Sequence, residues 1–426
     1  MTSAVDTPRG VALVNLGCRV NRVELDLMAL ELERAGVQLV SEGDAAAIVV
    51  NTCAVTGEAE AKTRKAVRRA AMLPHAPLVV ATGCVANLFS DELEEIAPNV
   101  VVEREKSRVA ARVLAELGVS GGTLSPEGCT LTPTPTGRTR PGIKIQDGCD
   151  NRCTYCIVWK ARGAARSMSP SQVLDAVAAA QDRGAHEVVL TGINLGSYRH
   201  ADETGATLCL PELLDLILSR TSIERVRLSS IEPPDVTDEL CSMMAEAKDR
   251  VAPFLHVCLQ SGCDETLRRM ARVYRTDLFR RVVATAREHI PHIALGTDLI
   301  VGFPGETERE FEESLAFCRE MRFAKMHVFR YSRRPGTAAA SMPNQLDAHA
   351  SAERSRRARE LADEMRLERA RALVGEKDLV VVQYPGRGIT GGLFDALVDP
   401  TYPVDSLVPV TITGARDDAT LTTEAL

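Results

Sequence analysis

The chain has 426 residues, of which 45% are hydrophobic and 26% charged, and its net charge is −7. This length is typical of two or three domains, and the composition is that of a globular protein. The acidic balance argues against a surface that coats nucleic acid, so any RNA contact must come from local basic patches. The first ten residues lack the basic and apolar segments of a signal peptide. No apolar run reaches about 18 residues, which predicts no membrane span.

The N-terminal quarter of the chain alternates short apolar runs with helical patterns. Strands are predicted at residues 11–16, 47–51 and 78–82, with helices at 24–35 and 59–72. This alternation indicates a parallel α/β sheet. Each of the three strands is followed at once by a cysteine: Cys18, Cys53 and Cys84. Because loops at the carboxyl ends of parallel strands converge on one crevice, these cysteines are expected to meet in space.

A stretch rich in Thr, Pro, Gly and Ser predicts a linker at residues 118–138. A longer alternation follows, with strands predicted at residues 143–146, 187–191, 225–230, 255–260, 294–301 and 325–331, and helices between them such as 170–183 and 308–321. Six such units predict an incomplete barrel with its active site at the carboxyl ends of the strands. A charged helix at 348–373 then leads to β-like runs separated by Gly, Pro and Asp, which predict a small β-barrel.

Three more cysteines, Cys149, Cys153 and Cys156, directly follow the first barrel strand with the spacing C-x3-C-x2-C. Three thiolates can hold a [4Fe–4S] cluster, which normally takes four cysteines. The fourth iron then stays open, and S-adenosylmethionine can bind it through its amino and carboxylate groups and be cleaved to a carbon radical. The alternative is half of a structural zinc site, but no second C-x2-C or His pair follows nearby.

The remaining cysteines are interpreted by their arrangement. Taken singly, Cys18, Cys53 and Cys84 would most often be small buried hydrophobic residues, but their shared position after three strands predicts a second cluster. The other six show no such arrangement and are assigned to packing: Cys129, Cys209, Cys241, Cys258, Cys263 and Cys318.

Small and polar residues at the ends of barrel strands predict contacts to S-adenosylmethionine. Glycine allows close approach of a ligand to the backbone, polar groups in the barrel mouth suit ribose hydroxyls, and apolar groups suit an adenine pocket. The ordinary alternatives are a tight turn or a packing residue. The candidates are Tyr155, Thr191, Gly192, Ser230, Glu232, Gln260 and Val301.

Two basic runs predict phosphate contacts, although such a run is usually a solvated face. They are Lys62, Arg64, Lys65, Arg68 and Arg69 on one helix, and Arg330, Arg333 and Arg334 after the last barrel strand.

Taken together, these motifs resemble the radical S-adenosylmethionine methylthiotransferases over nearly the whole chain. The matching segments are residues 15–18, 51–53, 82–84, 149–156, 161–163, 229–233, 259–262 and 301–306. The resemblance implies an α/β fold: an N-terminal parallel α/β domain that carries an auxiliary [4Fe–4S] cluster (1–117), a linker (118–138), an incomplete (β/α)6 radical barrel (139–347), a connecting helix (348–374) and a TRAM-like β-barrel (375–426). Two departures are the pair Trp159-Lys160, where the family has an apolar residue and Pro, and a short C-terminal domain with few basic residues.

The segment 17–21, Gly-Cys-Arg-Val-Asn, resembles the MtaB branch of the family rather than the MiaB branch (Cys-Gln-Met-Asn) or the RimO branch (Cys-Pro-Lys-Asn). That branch implies methylthiolation of N6-threonylcarbamoyladenosine at position 37, beside the tRNA anticodon. One S-adenosylmethionine would methylate a sulfur on the auxiliary cluster, and a second would be cleaved at the radical cluster. The alternatives are isopentenyladenosine in tRNA, a ribosomal-protein aspartate, or a non-catalytic iron–sulfur RNA-binding or sensor protein.

The same resemblance implies partners and a location. The expected partners are the tRNA anticodon loop, an electron donor such as a flavodoxin or ferredoxin, and a sulfur source, with no membrane. The clustered cysteines suit a reducing compartment, and the expected location is the cytoplasm.

Overall fold

The structure is a computed structural model that describes residues 10–119, 137–201 and 205–426. Cys129 and most of the predicted linker lie outside the described residues. By internal contacts the chain divides into two units. Among the described residues, the first unit contains 10–119 and 156–164, and the second contains 137–155, 165–201 and 205–426. The short segment 156–164 therefore packs with the N-terminal part of the chain.

The first unit is a parallel sheet with helices between its strands, as predicted. Its elements are β1 (Gly10–Asn15), α1 (Arg19–Arg34), β2 (Gln38–Leu39), β3 (Ala47–Thr52), α2 (Gly57–Ala71), β4 (Leu78–Gly83), α3 (Cys84–Leu88), α4 (Ser90–Glu94), β5 (Val100–Val102), α5 (Val109–Glu116) and α6 (Val158–Arg162). The strand order is β2-β1-β3-β4-β5. Strand β3 is buried along its whole length because both faces of a central parallel strand are covered.

The second unit begins with the predicted incomplete barrel. Its elements are β6 (Gly142–Lys144), β7 (Gln146–Asp147), β8 (Arg166–Ser167), α7 (Pro170–Asp182), β9 (Glu187–Thr191), β10 (Arg199–Ala201), β11 (Thr207–Cys209), α8 (Leu210–Arg220), β12 (Arg225–Leu228), β13 (Ser230–Ile231), α9 (Asp238–Ala247), β14 (Phe254–Val257), α10 (Asp264–Arg269), α11 (Thr276–His289), β15 (Ala294–Val301), α12 (Glu308–Met321) and β16 (Lys325–Arg330). The parallel strands run in the order β6-β9-β12 and β13-β14-β15-β16, and Ser229 alone separates β12 from β13.

The predicted first barrel strand, 143–146, divides into two short strands. The Ile145 N–H still donates to the Thr191 carbonyl in the barrel, but the Ile145 carbonyl accepts from the Met168 N–H. The chain therefore leaves the barrel at this residue, and β7 pairs antiparallel with β8. This turn carries the chain toward Cys149.

Alternate residues of the barrel strands face opposite sides, as in any strand. On β14 and β15, Leu255, Val257 and Leu299 belong to the main apolar core with the surrounding helices. The residues between them, including His256 and Asp298, face the inside of the barrel. The inner face thus carries polar groups whose positions the apolar pattern of the strands does not predict.

The second unit ends in a small closed β-barrel, which confirms that prediction. The elements are α13 (Ala348–Ala372), β17 (Lys377–Tyr384), β18 (Arg387–Ile389), β19 (Asp395–Leu397), β20 (Leu407–Ala415) and β21 (Leu421–Ala425), closed in the order β17-β18-β19-β21-β20. Phe394 is fully buried at its core. Each helix in the described ranges is too short or too polar to cross a bilayer.

Candidate functional site

The first candidate site is a set of three cysteines at one edge of the N-terminal sheet. Cys18 caps the N-terminus of α1, Cys53 directly follows β3, and Cys84 begins α3 just after β4. Strands β1, β3 and β4 are neighbours and parallel, so their carboxyl ends lie side by side. This topology brings together three residues that are far apart in the sequence.

The thiols of this set differ in exposure and influence one another. Cys18 is exposed, whereas Cys53 and Cys84 are buried. Burial raises the pKa of the Cys53 thiol to about 11, and the neighbouring Cys18 and Cys84 contribute to the rise. Three cysteine sulfurs brought together in this way are the type of donor that iron–sulfur clusters use.

Asn21 holds the loop of Cys18 against strand β3. The Cys18 Sγ donates to Asn21 Oδ1 (3.3 Å), and Asn21 Nδ2 donates to the Thr52 carbonyl (2.7 Å). Asn51 Nδ2 donates back to the Asn21 carbonyl (2.7 Å). Because these amides are buried, the bonds fix the position of Cys18 relative to Cys53.

A buried charge pair supports Asn21 from the other side. Arg162 donates from Nη2 to Asn21 Oδ1 (2.8 Å) and from Nη1 to Glu24 Oε1 (2.8 Å), and Lys106 also pairs with Glu24. The Arg162 side chain is 4% exposed. Sequence reasoning noted Arg162 only as part of a matching segment and missed Glu24 and Lys106, because nothing local distinguishes these residues from ordinary surface charges.

The turn between β4 and Cys84 requires glycine. Gly83 has φ = +96°, and a Cβ there would lie 2.5 Å from the Thr52 carbonyl oxygen. Any side chain at this position would push Cys84 away from β3.

The second candidate site begins with Cys149 and Cys153, which follow β7 in the second unit. Cys153 is buried, and Arg272 Nη1 lies 3.0 Å from its Sγ. The same guanidinium pairs with Glu232 through Nη2 and donates from Nε to the Tyr274 hydroxyl (3.0 Å). Arg272 therefore joins the Cys153 sulfur to Glu232 and Tyr274 through one buried guanidinium. Sequence reasoning missed Arg272 and Tyr274.

The third cysteine of the motif, Cys156, belongs to the first unit by its contacts. Within that unit, the Val158 N–H at the start of α6 donates to Cys156 Sγ (3.4 Å). Asn87 Nδ2 donates to the Ala161 carbonyl (2.9 Å) and holds α6 in place.

Thr191 and Gly192 lie where β9 ends, beside the segment that leads to Cys149. Gln146 Oε1 accepts from the N–H groups of Ile193 (3.0 Å) and Asn194 (2.9 Å), and its Nε2 donates to the Gly148 carbonyl (2.9 Å). A Cβ at Gly192 would lie 2.9 Å from Gln146 Oε1. Gln146 therefore ties the glycine loop to the cysteine loop.

Four of the other candidates also lie at or just after the carboxyl ends of barrel strands. Ser230 is in β13, and Glu232 follows it and pairs with Arg272. Gln260 has φ = +65° and exchanges backbone hydrogen bonds with β15, which ends at the buried Val301. Tyr155 lies in the cysteine loop and packs edge-on against Phe303, with 6.4 Å between ring centroids.

The structure describes five of the six cysteines assigned to packing, and all five are at least partly buried. Cys209 is partly buried, and the others are buried: Cys241, Cys258, Cys263 and Cys318.

The basic runs are smaller than the sequence suggests. On α2, Lys62 pairs with Glu58, Arg64 with Glu60 and Glu92, and Arg69 with Glu42. The other two cations of this helix, Lys65 and Arg68, are exposed. After β16, Arg334 is buried and Arg333 donates to the Ala340 carbonyl (2.8 Å), whereas Arg330 is exposed.

Known proteins resemble the chain over most of its length. Residues 143–318 match the family model described as the Radical SAM superfamily, and residues 10–103 match the model described as Uncharacterized protein family UPF0004. The threonylcarbamoyladenosine tRNA methylthiotransferase MtaB of Thermotoga maritima is 34% identical over 90% of this chain and 88% of that protein.

Relatives named for other substrates are similarly close. The tRNA-2-methylthio-N(6)-dimethylallyladenosine synthase of Salinispora arenicola is 36% identical over 89% of this chain and 78% of that one. The ribosomal protein uS12 methylthiotransferase RimO of Desulforudis audaxviator is 34% identical over 95% of this chain and 94% of that protein.

Among solved structures, the radical S-adenosylmethionine methyltransferase TsrM of Kitasatospora setae superposes with a TM-score of 0.54 at 17% identity, covering 87% of this chain and 78% of that one, which shows a shared fold. With both family models matched and full-length relatives at this identity, the chain belongs to the radical S-adenosylmethionine methylthiotransferases, enzymes that transfer sulfur-containing groups using S-adenosylmethionine and [4Fe–4S] clusters.

Proposed function

We propose that this enzyme modifies tRNA, converting N6-threonylcarbamoyladenosine at position 37 to its 2-methylthio derivative. The observation that carries the proposal is the similarity to MtaB over 88% of the Thermotoga protein. The segment 17–21 around Cys18, which resembles the MtaB branch, supports the same substrate. The proposed domains are the N-terminal cluster domain (1–117), a linker (118–138), the radical barrel (139–347), a connecting helix (348–374) and the TRAM-like β-barrel (375–426).

The donor sets have distinct roles in this proposal. Cys149, Cys153 and Cys156 would hold one cluster, and Cys18, Cys53 and Cys84 the other. When bound, these groups and S-adenosylmethionine supply a carbon radical at the first site and a methylated sulfur at the second. An external electron donor, such as a flavodoxin or ferredoxin, and a sulfur source complete the reaction.

The protein's own groups position these components. Arg272 contacts the Cys153 sulfur and holds the Glu232 carboxylate at the barrel mouth. Asn21 and Arg162 fix the position of Cys18 relative to Cys53. The remaining contacts to S-adenosylmethionine are proposed for Tyr155, Thr191, Gly192, Ser230, Gln260 and Val301. The target adenine has to leave its stack to reach the barrel mouth, as bases of single-stranded loops can do.

Nucleoside analysis of tRNA tests the substrate. Expression of the gene in cells that lack their own methylthiotransferases should add a methylthio group to threonylcarbamoyladenosine, detected by mass spectrometry of digested tRNA. The Cys153→Ala variant, expressed at the same level, is the control and should add none. A methylthio group on isopentenyladenosine or on a ribosomal-protein aspartate would contradict the proposed substrate. If neither tRNA nor ribosomal protein gained a methylthio group, the non-catalytic alternative would be favoured.

The exposed cations of α2 are proposed phosphate contacts. Replacing Lys65 and Arg68 by Ala should weaken tRNA binding and reduce the slope of log K against log salt by roughly 1 to 2, because each lost phosphate contact releases about one counterion fewer. Filter binding across a salt series measures this slope. Lys62→Ala is the matched control because Lys62, on the same helix, is paired with Glu58. An unchanged slope in the double variant would show that tRNA does not contact this helix face.

A further inference from the structure

Three potential metal ligands lie on three consecutive strands inside the barrel, apart from the cysteine sites. His256 is on β14, Asp298 on β15 and His327 on β16. Asp298 pairs in register with His327, and His256 pairs with Gly296, two residues from Asp298 on the same face of β15. The strand pairing itself therefore places the three side chains together on the inner face.

Their ligand atoms converge at the spacing of a single-ion site. His256 Nε2 lies 3.1 Å and His327 Nδ1 3.2 Å from Asp298 Oδ1, and the three atoms all lie within 4.8 Å of one another. Two ligands bound to one ion at about 2.1 Å are about 3.0 to 3.4 Å apart for angles between octahedral and tetrahedral. Two imidazole hydrogen bonds to one carboxylate oxygen would give the same distances, so metal binding is the measurement that separates these cases.

The surroundings suit an ion with open coordination positions. The side-chain exposure rises from 10% at His256 through 23% at Asp298 to 44% at His327, so the group is walled on one side and open on the other. A Cβ at Gly296 would lie 3.0 Å from His256 Nδ1 and 2.7 Å from the Phe254 ring. The glycine therefore leaves the space that the His256 ring occupies.

The carboxylate is held in its charged form. Burial acts to raise the pKa of Asp298, but hydrogen bonds from His256 and His327 hold it well below its usual range. A metal ligand has to be deprotonated, and the Asp298 carboxylate meets that requirement.

We propose that His256, Asp298 and His327 form a mononuclear site for a divalent transition ion on the inner face of the barrel. Two imidazoles and one carboxylate with open positions suit Fe(II) or Zn(II). The open positions face the inside of the barrel, where a water or an oxygen atom of a bound ligand can complete the coordination.

Zinc binding to the full-length protein tests the site. The protein, with both clusters reconstituted so that the six cluster cysteines are occupied, is incubated with zinc chloride and desalted, and zinc and iron are measured by elemental analysis. About one zinc per chain should remain, with nitrogen and oxygen neighbours at about 2.0 to 2.2 Å in X-ray absorption spectra and no sulfur at about 2.3 Å. Zinc with sulfur neighbours, or no retained zinc, would overturn the proposal.

Variants locate the ion. Asp298→Asn and His327→Gln should weaken zinc binding more than about 10-fold, since even the outer partners of metal ligands are worth that much. His327 is partly exposed, so its replacement should leave the fold and the iron content intact, which circular dichroism and iron analysis check. The matched control is Asp238→Asn, which removes the carboxylate of a surface pair with His289. Equal zinc retention in Asp298→Asn, His327→Gln and the control would rule out these ligands.

Discussion

Replacement of Cys18, Cys53 and Cys84 by Ala is expected to abolish methylthio transfer while S-adenosylmethionine is still cleaved reductively. The three thiols lie together in the first unit, and the variant leaves Cys149 and Cys153 with Arg272 unchanged in the second. The iron content should fall from about eight to about four per chain, because one four-iron cluster is lost. Iron analysis, 5′-deoxyadenosine formation and product mass spectrometry measure the three effects.

The complementary variant replaces Cys149, Cys153 and Cys156 by Ala. It should also lose about half of the iron, but it should cleave no S-adenosylmethionine. If the first variant is folded, keeps its remaining cluster and yet cleaves none, the proposed division of labour is wrong. Stoichiometric zinc with no iron uptake in the unaltered protein would contradict both cluster assignments.

The largest expected effect on stability comes from Glu187→Gln. Glu187 is fully buried at the start of β9, and its carboxylate accepts from Arg225 and from Arg227 (2.8 Å). Arg227 also donates to the Gly391 carbonyl (2.6 Å) and Arg225 to the Leu379 carbonyl (2.7 Å), so this group joins the barrel to the C-terminal β-barrel. The substitution removes the carboxylate charge that both buried guanidiniums contact, and breaking a buried ion pair typically costs about 3 to 5 kcal/mol.

Urea unfolding measures the lost stability of Glu187→Gln as a lower urea concentration at the unfolding midpoint. The control is Glu320→Gln, which breaks an exposed pair with Arg280 and should cost less than about 1 kcal/mol. Equal midpoints for the two variants would show that the buried network adds nothing to stability.

The same carboxylate predicts a pH dependence. Burial acts to raise the pKa of Glu187, but Arg227 and Arg225 hold it well below its usual range. The folded pKa is therefore below the unfolded value of about 4.3. The stabilisation from Glu187 is complete above that pH and is lost as the pH falls toward the folded pKa, so the Gln variant should differ most from the unaltered protein near neutrality.

Much of the architecture follows from local sequence patterns. Strands β9 and β15 and helix α12 match the predicted bounds at both ends, because alternating and continuous apolar runs depend on neighbouring residues only. The two sets of cysteines were also identifiable from sequence. Close spacing reveals Cys149, Cys153 and Cys156, and the repeated position after three strands reveals Cys18, Cys53 and Cys84.

The tertiary structure alone decided which charged groups serve these sites. Arg272 reaches Cys153 across 119 residues of sequence, and Arg162 reaches Glu24 across 138. It also decided that Arg69 of the basic helix is paired with Glu42 and that His256, Asp298 and His327 converge. Apolar periodicity reports which face of an element is buried, but a buried charge is stabilised by whichever partner the fold brings within a few ångströms, and no local pattern encodes that partner.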